Sequence, residues 1–389
     1  MAIVIYALIA MLALAAPLAA QTTRVGAIEE EQTEKAKEIA PEGPSEAEQI
    51  IRRILLSPLL SGGDGAYPWF GSVFGGTGMG VGAGFLKRLE NGAFFNAQTG
   101  ISINGSMVLR GEFASRHMWR GKLQVEAAGQ WLEANDVGFY GFGQDSSQIT
   151  RQSIDFSPKD FGGHVILKPV RFVVLTGGYT FLNFNTERDT PILFGRAAPD
   201  LGEELNYHIT RGSIALDWRP AANYTTRGGL LRAAFEGNHE ANDRPYSFTS
   251  QEYEVTQQVP LVREQFVLAV RGLVTLTSTD ADQEVPVMLA PYLGSGSTLR
   301  GFANRRFTDR NRALLSGEYR WRPSRYLDMA LFLDAGQVAA SRHDFDLDEF
   351  DVAWGIGARF HGPTFTAFRI DVARGREGIR LVFAGSQPF

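Results

Sequence analysis

The chain has 389 residues, 44% of them hydrophobic and 21% charged, with a formal net charge of −5 at pH 7 and a pI near 5.8. A net negative charge excludes a protein that binds nucleic acid through overall electrostatic attraction. Because the chain contains no cysteine, disulfide frameworks, thiol catalysis and most zinc sites are excluded as well.

The first 20 residues form one apolar segment, MAIVIYALIAMLALAAPLAA. Pro17 and the small residues that end the segment are typical of a secretory signal, which predicts a signal peptide over 1–20 and a mature chain from Gln21. No Lys or Arg precedes the apolar residues, so a membrane-spanning helical anchor is the alternative. No other long apolar run follows, and further membrane insertion would have to use β-strands.

Residues 21–68 are rich in glutamate and are broken by Pro41 and Pro44. Such a segment buries too little apolar surface to order itself, which predicts a flexible periplasmic segment. Within it, Ser45 and Glu48 resemble a capping box ahead of an apolar stripe over 50–55, which predicts a short helix. A plain linker fits these residues equally well.

From Trp69 onward, stretches of alternating apolar and polar residues follow one another. The 43 glycines and 27 phenylalanines are typical of a protein with many strands and tight turns. A soluble β-sandwich also alternates, but charges recurring on the polar face of successive strands favour a membrane barrel. We therefore predict an all-β fold, a transmembrane antiparallel β-barrel over residues 69–389. Its sixteen predicted strands are 75–86, 93–103, 106–116, 122–134, 151–167, 170–185, 205–218, 226–239, 247–261, 264–278, 285–293, 311–322, 326–338, 350–361, 364–374 and 378–386.

The predicted first strand, 75–86, carries a glycine at every second position. These glycines share one face, where they leave nothing to pack and make the strand easy to bend or unpair. They could equally leave space inside the barrel for a loop. The residues are Gly76, Gly78, Gly80, Gly82 and Gly84.

A glycine- and serine-rich loop at 293–307, LGSGSTLRGFANRRF, carries the cation Arg300. Asp334 projects from the polar face of the strand 326–338, so a loop folded back into the barrel would place the two in a charge-assisted pair that can be bidentate. Glu318 projects from the polar face of the strand 311–322 and is the second candidate partner. The expected role of this pair is to fix the loop inside the lumen.

These two motifs resemble the signature of the BamA/TamA outer-membrane assembly family, also called the bacterial surface antigen family. The family has an RGF or RGY tripeptide on a long loop and an FxDxG strand, followed here by three amphipathic strands. The corresponding residues are Arg300, Gly301 and Phe302 in the loop, Phe332, Asp334 and Gly336 in the strand, and the terminal Phe389.

The resemblance implies a barrel in the outer membrane of a Gram-negative-type envelope, with the RGF loop in its lumen and Phe389 as a C-terminal signal. It also implies a weak seam between strands 1 and 16, with the glycine strand as one half. Family members carry periplasmic POTRA domains before the barrel. Residues 21–68 are too few for one, so we expect a member without POTRA domains.

By the same resemblance, the barrel would assist insertion or translocation of proteins, or of lipids, through that seam. Expected partners are outer-membrane lipids, unfolded outer-membrane protein or lipid clients, and a separate periplasmic protein or the 45–56 helix in place of POTRA domains. The alternative is a passive pore or structural barrel without assembly activity, whose inward charges of mixed sign predict no clear ion preference. A soluble periplasmic β-protein is a third possibility.

No catalytic set with useful spacing occurs in the sequence. The six histidines are scattered, and HExxH, GxSxG and Walker-type motifs are absent. An acidic run at 343–349 could hold calcium loosely, but a solvated loop accounts for it without an ion. We therefore expect no enzymatic activity, no cofactor, no metal and no nucleic-acid partner.

Overall fold

The computed structural model describes residues 63–188, 200–262, 264–362 and 365–389. The predicted signal peptide at 1–20 and most of the segment 21–68, with its short helix, lie outside these residues. Sixteen strands form one antiparallel sheet in which each described strand pairs with its neighbours in the chain. This arrangement confirms the predicted all-β barrel.

The strands of this wall follow the chain order, and a small separate sheet interrupts them. The wall strands are β1 (Gly65–Gly71), β2 (Gly80–Arg88), β3 (Phe94–Ser102), β4 (Met107–Ala114), β5 (Leu123–Phe139), β6 (Gln152–Leu167), β7 (Val173–Arg188), β8 (Glu204–Asp217), β9 (Gly228–Glu240), β10 (Phe248–Val262), β11 (Phe266–Ser278), β14 (Asn311–Ser324), β15 (Leu327–Ala339), β16 (Asp351–His361), β17 (Thr366–Gly375) and β18 (Gly378–Ala384). Two short strands, β12 (Tyr292–Leu293) and β13 (Phe307–Thr308), pair with each other in the loop between β11 and β14.

The outer face of the wall is apolar and the inner face is largely polar. In β15, Leu331 and Leu333 are 51% and 53% exposed, whereas Phe332 and Asp334, which alternate with them, are buried. Apolar side chains outside and charged side chains inside, the reverse of a soluble protein, are expected for a wall whose outer face meets lipid. In the described part of the chain, no helix is both long and apolar enough to cross a bilayer.

The number of wall strands matches the prediction, but the predicted strand 285–293 is wrong. Most of this segment lies within the long loop between β11 and β14, and only its last two residues form the short strand β12. Val285, Val287 and Met288 are buried in an apolar core with inward residues of β5 to β8. The segment 285–293 is apolar because it packs inside the barrel. Its two prolines, Pro286 and Pro291, also disfavour a wall strand, since proline cannot donate a ladder hydrogen bond.

The first wall strand is β1, which begins at Gly65, before the predicted start of the barrel at Trp69. Its sequence, GAYPWFG, is short and contains a proline, so it reads as part of a linker. Proline is tolerated in a sheet at an edge strand, and β1 has a single ladder neighbour, β2.

The prediction that the glycine strand is the first strand, and so half of the seam, is therefore wrong. Gly80, Gly82 and Gly84 lie in β2, which pairs with β1 on one side and β3 on the other. Gly76 and Gly78 precede β2 in a turn, with positive φ angles of 94° and 79°.

Aromatic side chains of β1 explain why glycines occupy two inward positions of the neighbouring strands β2 and β3. A Cβ at Gly84 would collide with the ring of Tyr67, and one at Gly100 of β3 would collide with Trp69. The Tyr67 hydroxyl reaches across β2 and donates to Asn96 Oδ1 of β3 at 2.6 Å. Gly84 of β2 and Gly100 of β3 thus make room for side chains of the true first strand, whereas Gly80 and Gly82 lie against neighbouring backbone.

The two ends of the barrel differ. At the end where β1 begins and β18 finishes, called here the turn end, most connections are short. At the opposite end, the loop end, the segment between β11 and β14 is tied to three other connections. Asn304 donates to Gly75 O at 2.7 Å, and Arg306 donates to Ser146 Oγ at 2.8 Å and to Glu377 Oε1 at 2.6 Å.

One connection at the turn end is longer and reaches across the sheet. The segment 218–227 between β8 and β9, called here the strap, contacts β15 and β16. Tyr224 donates to Asp328 Oδ2 at 2.8 Å, and its ring stacks on His361 with centroids 4.1 Å apart. Four wall strands separate β8 from β15 in the sheet, so the strap spans this end of the barrel.

Candidate functional site: a buried charge network under the long loop

The segment 293–307 is held against the inner face of the wall by apolar anchors. Leu293, Leu299, Phe302 and Phe307 are each at most 2% exposed and pack in one cluster with residues of β11 and β14 to β16. The rings of Phe302 and Phe307 meet edge to face, with centroids 5.1 Å apart. These anchors fix the backbone on either side of Arg300.

Arg300 makes a bidentate contact with Asp334 of β15. Its Nε and Nη2 donate to the two carboxylate oxygens at 2.7 Å each, and its backbone N–H donates to Oδ2 at 3.3 Å. Nη1 donates to Glu318 Oε1 of β14 at 2.5 Å. The guanidinium also lies over the Phe332 ring, 3.6 Å from its centroid. All three guanidinium nitrogens thus donate to carboxylates, a ring covers one face, and the side chain is 1% exposed.

Two glycines of the motifs permit this close approach. A Cβ at Gly301 would lie 2.7 Å from Gly375 N and 2.8 Å from Ala353 Cβ, so the loop backbone packs directly on β16 and β17. A Cβ at Gly336 would lie 2.8 Å from Leu293. The structure therefore brings together Arg300, Gly301, Phe302, Glu318, Phe332, Asp334 and Gly336.

The network extends further than these residues. Glu318 also accepts from Arg320 Nε at 2.7 Å and from Arg359 Nη2 at 2.6 Å. On β17, Asp371 pairs with Arg359 at 3.2 Å and with Arg369. The sequence showed these side chains only as inward charges, because strand parity gives the face of a residue and not its partner.

Cations outnumber acids in this network. Its four arginines, Arg300, Arg320, Arg359 and Arg369, face three carboxylates, Glu318, Asp334 and Asp371, which leaves a net charge of +1. The remaining positive charge is directed at backbone carbonyls. Arg369 donates to Ser386 O at 2.8 Å and to Gly296 O.

The C-terminal residues lie on the same inner face. Arg271 Nη1 donates to Pro388 O at 3.3 Å and to Ser297 O of the loop at 3.1 Å. The guanidinium of Arg320 lies 5.4 Å from the ring centroid of Phe389. The structure thus places Phe389 among inward arginines, and its role as a targeting signal stays a prediction.

The two edges of the sheet are β1 and β18. Among the described residues, no ladder joins them, and each pairs with one neighbour only. The tip of the loop touches one of these edge strands, since a Cβ at Gly296 would lie 2.9 Å from Val382 of β18. The predicted seam between strands 1 and 16 therefore corresponds to β1 and β18.

A polar cavity of about 620 Å³ remains inside the barrel, between β6 to β10 and residues 288–292. Its charged side chains are paired with each other, as in Arg232 with Glu252 at 3.0 Å and Arg211 with Glu236 at 2.5 Å. The described residues hold no group of three or more His, Cys, Asp or Glu side chains that could hold a metal ion.

Comparisons with known proteins agree with this geometry. The Omp85 superfamily domain matches residues 176–378. BamA from Haemophilus ducreyi lacking POTRA domains 1–3 is similar in structure, with a TM-score of 0.59 and 12% identity over 82% of this chain and 70% of that one. CdiB from Escherichia coli gives a TM-score of 0.56 and 12% identity over 82% of this chain and 61% of the other. No curated protein matched the sequence.

Proposed function

Because this chain belongs to the Omp85 superfamily, we propose that its outer-membrane barrel assists the insertion or translocation of proteins through a seam between β1 and β18. Lipids are the other class of client that the same seam would serve. The observation that carries the proposal is the pair of unpaired sheet edges beside a loop whose tip contacts β18.

The chemistry of the edges supports this role. An unpaired edge presents backbone N–H and C=O groups that another strand can bind by β-augmentation. β1 and β18 have seven residues each, whereas β5 has 17. Fewer ladder bonds hold a short strand to its single neighbour, so β1 and β18 can shift at a lower cost than a long strand inside the wall.

The charge network would keep the loop in place while the seam moves. Arg271 and Arg369 each bind both the loop tip and the C-terminal residues that follow β18. A displacement of β18 would therefore disturb the hydrogen bonds that these two arginines make to the loop. Recruitment of clients would fall to a separate periplasmic partner or to the 45–56 segment.

The first test is reconstitution of the full chain in liposomes. Unfolded outer-membrane protein is added as client, and its folding rate is compared with that in empty liposomes and in liposomes with an Arg300→Ala variant. The proposal expects faster client folding with the native chain and loss of that acceleration with the variant. Native chain that leaves the client rate unchanged would contradict it.

A cross-link at the seam tests the route. The chain contains no cysteine, so Phe70→Cys in β1 and Ile379→Cys in β18, both exposed and both at the loop end of their strands, are treated with a series of bifunctional reagents of increasing length. The matched control joins Val81→Cys to Ile101→Cys, which face each other across the β2–β3 ladder. Client folding should stop only with the first pair, and equal activity of both cross-linked forms would contradict a β1–β18 route.

Ion conductance of the same liposomes tests the passive pore. The strap at the turn end and the core at the loop end both occupy the lumen, which argues against a permanently open channel. Conductance without any assistance to client folding would favour the pore and overturn the proposal.

A further inference from the structure

Two neighbouring turns at the turn end carry an unbalanced positive charge. Residues 115–122, between β4 and β5, and residues 168–172, between β6 and β7, hold five Lys or Arg and no Asp or Glu. In the described part of the chain, none of these five cations forms an ion pair within the two turns, and all five are exposed. They are Arg116, Arg120, Lys122, Lys168 and Arg171.

The two turns are tied together, so their charges act at one place. Lys168 N–H donates to Lys122 O at 2.7 Å, and Lys122 Nζ donates to Pro169 O at 2.9 Å. Between them lies an open depression of about 520 Å³, lined by Gly121, Lys122 and 168–171. The depression offers two ammonium groups and a guanidinium to one ligand.

Apolar side chains surround these cations. Trp119 is 72% exposed, Val170 60% and Phe172 45%. Trp119 and Arg120 have φ angles of 48° and 59°, a left-handed backbone that side chains other than glycine rarely adopt. This strained turn holds the Trp119 ring out of the protein.

The cations stand where the lipid-facing surface ends. Val125 of β5 and Val165 of β6 are paired in the ladder and exposed on the apolar outer face just beyond the two turns. Short turns of such barrels face the periplasm, so this rim meets the headgroups of the periplasmic leaflet. Tryptophan belongs at that depth, with an apolar ring and a polar N–H.

We propose that residues 115–122 and 168–172 form a binding site for an anionic phospholipid of the periplasmic leaflet. Lys122, Lys168 and Arg171 bind the anionic phosphate of the headgroup, while Trp119, Val170 and Phe172 contact the acyl chains. Clusters of Lys and Arg at a membrane surface gain about fivefold in affinity for each charge. A docked lipid anchors the wall beside β5 and β6, on a part of the barrel remote from β1 and β18.

The test uses the purified full chain in micelles of a zwitterionic detergent. Equal amounts of phosphatidylglycerol and phosphatidylcholine are added, and native mass spectrometry counts the lipids that the protein retains. The test variant combines Lys122→Glu, Lys168→Glu and Arg171→Glu. The matched control combines Arg310→Glu and Arg342→Glu, two exposed arginines at the loop end.

The native chain and the control should retain phosphatidylglycerol over phosphatidylcholine, and the triple variant should lose at least tenfold of that preference. High salt should weaken the preference of the native chain, because exposed charges are screened, and this measurement stands even if the triple variant does not fold. Equal retention of the two lipids by the native chain would overturn the proposal. Unchanged preference in a folded triple variant, or displacement of the lipid by glycerol phosphate alone, would do the same.

Discussion

At the scale of single residues, Arg300 shows how a charge can be buried without destabilising the barrel. Its cost of desolvation is offset by the bidentate contact with Asp334, the bond to Glu318 and the face of Phe332. A buried ion pair adds little net stability over an apolar packing, but breaking one partner leaves the other charged and unpaired. The arrangement therefore specifies where the loop lies more than how stable the barrel is.

Replacement of Arg300 by alanine should release the loop. The loss of one partner in a buried pair costs about 3–5 kcal/mol, and the penalty falls on the segment 293–307 because the wall ladders remain intact. We expect rapid protease cleavage in this segment while the folded barrel keeps its heat-modifiable gel mobility. Arg310→Ala, at an exposed arginine of the same connection, should leave the loop protected. Equal protection in both variants would contradict the role of Arg300.

Asp200 lies at the loop end, and its environment predicts that the packing of the long loop depends on pH. Burial raises the pKa of this carboxyl above its usual range, and its Oδ1 accepts from Val287 N–H at 3.0 Å. A carboxyl with a raised pKa in the folded state contributes most below its unfolded pKa of about 3.9, and this contribution is lost as the pH rises through the folded value. The contact between the β7–β8 connection and residue 287 should thus be tighter in acid.

The check is protease protection of the 279–291 segment across this pH range. Asp200→Asn keeps the acceptor oxygen and removes the charge, so it should protect the segment at neutral pH and flatten the dependence. Asp243→Asn, at an exposed acid of the neighbouring β9–β10 connection, is the control and should change neither. A native chain that is better protected at neutral pH than in acid would refute the assignment.

At the scale of elements, the strap is the least expected part of the fold. A turn between adjacent strands needs few residues, yet 218–227 reaches β15 and β16 and even forms an isolated bridge between Asn223 and Phe365. Tyr224 accounts for most of this reach, because Asp328, Arg322 and His361 all contact it. The strap therefore obstructs the lumen at the turn end.

Removal of the Tyr224 side chain should free the strap. We expect Tyr224→Ala to raise ion conductance in planar bilayers by a measurable step, since the stacking on His361 and the bond to Asp328 are both lost. Arg227→Ala is the matched control, because among the described residues the Arg227 side chain forms an ion pair with Glu264 alone, across the neighbouring turn at 3.7 Å. A variant that conducts no better than the control would show that the strap does not limit passage.

At the scale of the whole molecule, the inverted distribution of polarity decides the environment. Exposed leucines, phenylalanines and valines cover the outer face of strands throughout the wall, while Arg300, Arg359 and Arg369 are among the largest fully buried side chains. In water such a surface would drive association. In a bilayer that cost disappears, because lipid covers the apolar side chains. The ladders between neighbouring strands satisfy the backbone of the wall except at the outer edges of β1 and β18.

Two leucines of equal exposure test whether the outer face of the wall meets lipid. Leu331 of β15 and Leu347 of the β15–β16 connection are each 51% exposed, but only Leu331 lies on the lipid-facing wall. Leu331→Arg should destabilise the barrel in vesicles by about 2–4 kcal/mol if it lies near the bilayer midplane, whereas Leu347→Arg should be nearly neutral. Denaturant unfolding in vesicles measures both, and equal effects would place the membrane elsewhere on the barrel.

The sequence by itself determined the features that depend on local periodicity. Alternation with a period of two gave the barrel wall from β2 onward and placed Glu318, Phe332 and Asp334 on the inner face, since side-chain direction along a strand needs no knowledge of its neighbours. The two motifs likewise indicated the residues that meet Arg300.

Only the tertiary structure decided which segments form the wall and which fill it. Apolar runs in the wall and in an internal core look alike in sequence, so the pattern predicts a strand at 285–293 that the structure does not have. The proline and glycines of β1 conceal an edge strand that the pattern does not predict. The need for glycine at Gly84 and Gly100 is explained only by Tyr67 and Trp69 of that strand. The strap reaches His361 through Tyr224, a residue 137 positions away in the chain. Arg359 meets Asp371 across the β16–β17 ladder. Both contacts depend on how the strands are arranged in the sheet, which local periodicity does not specify.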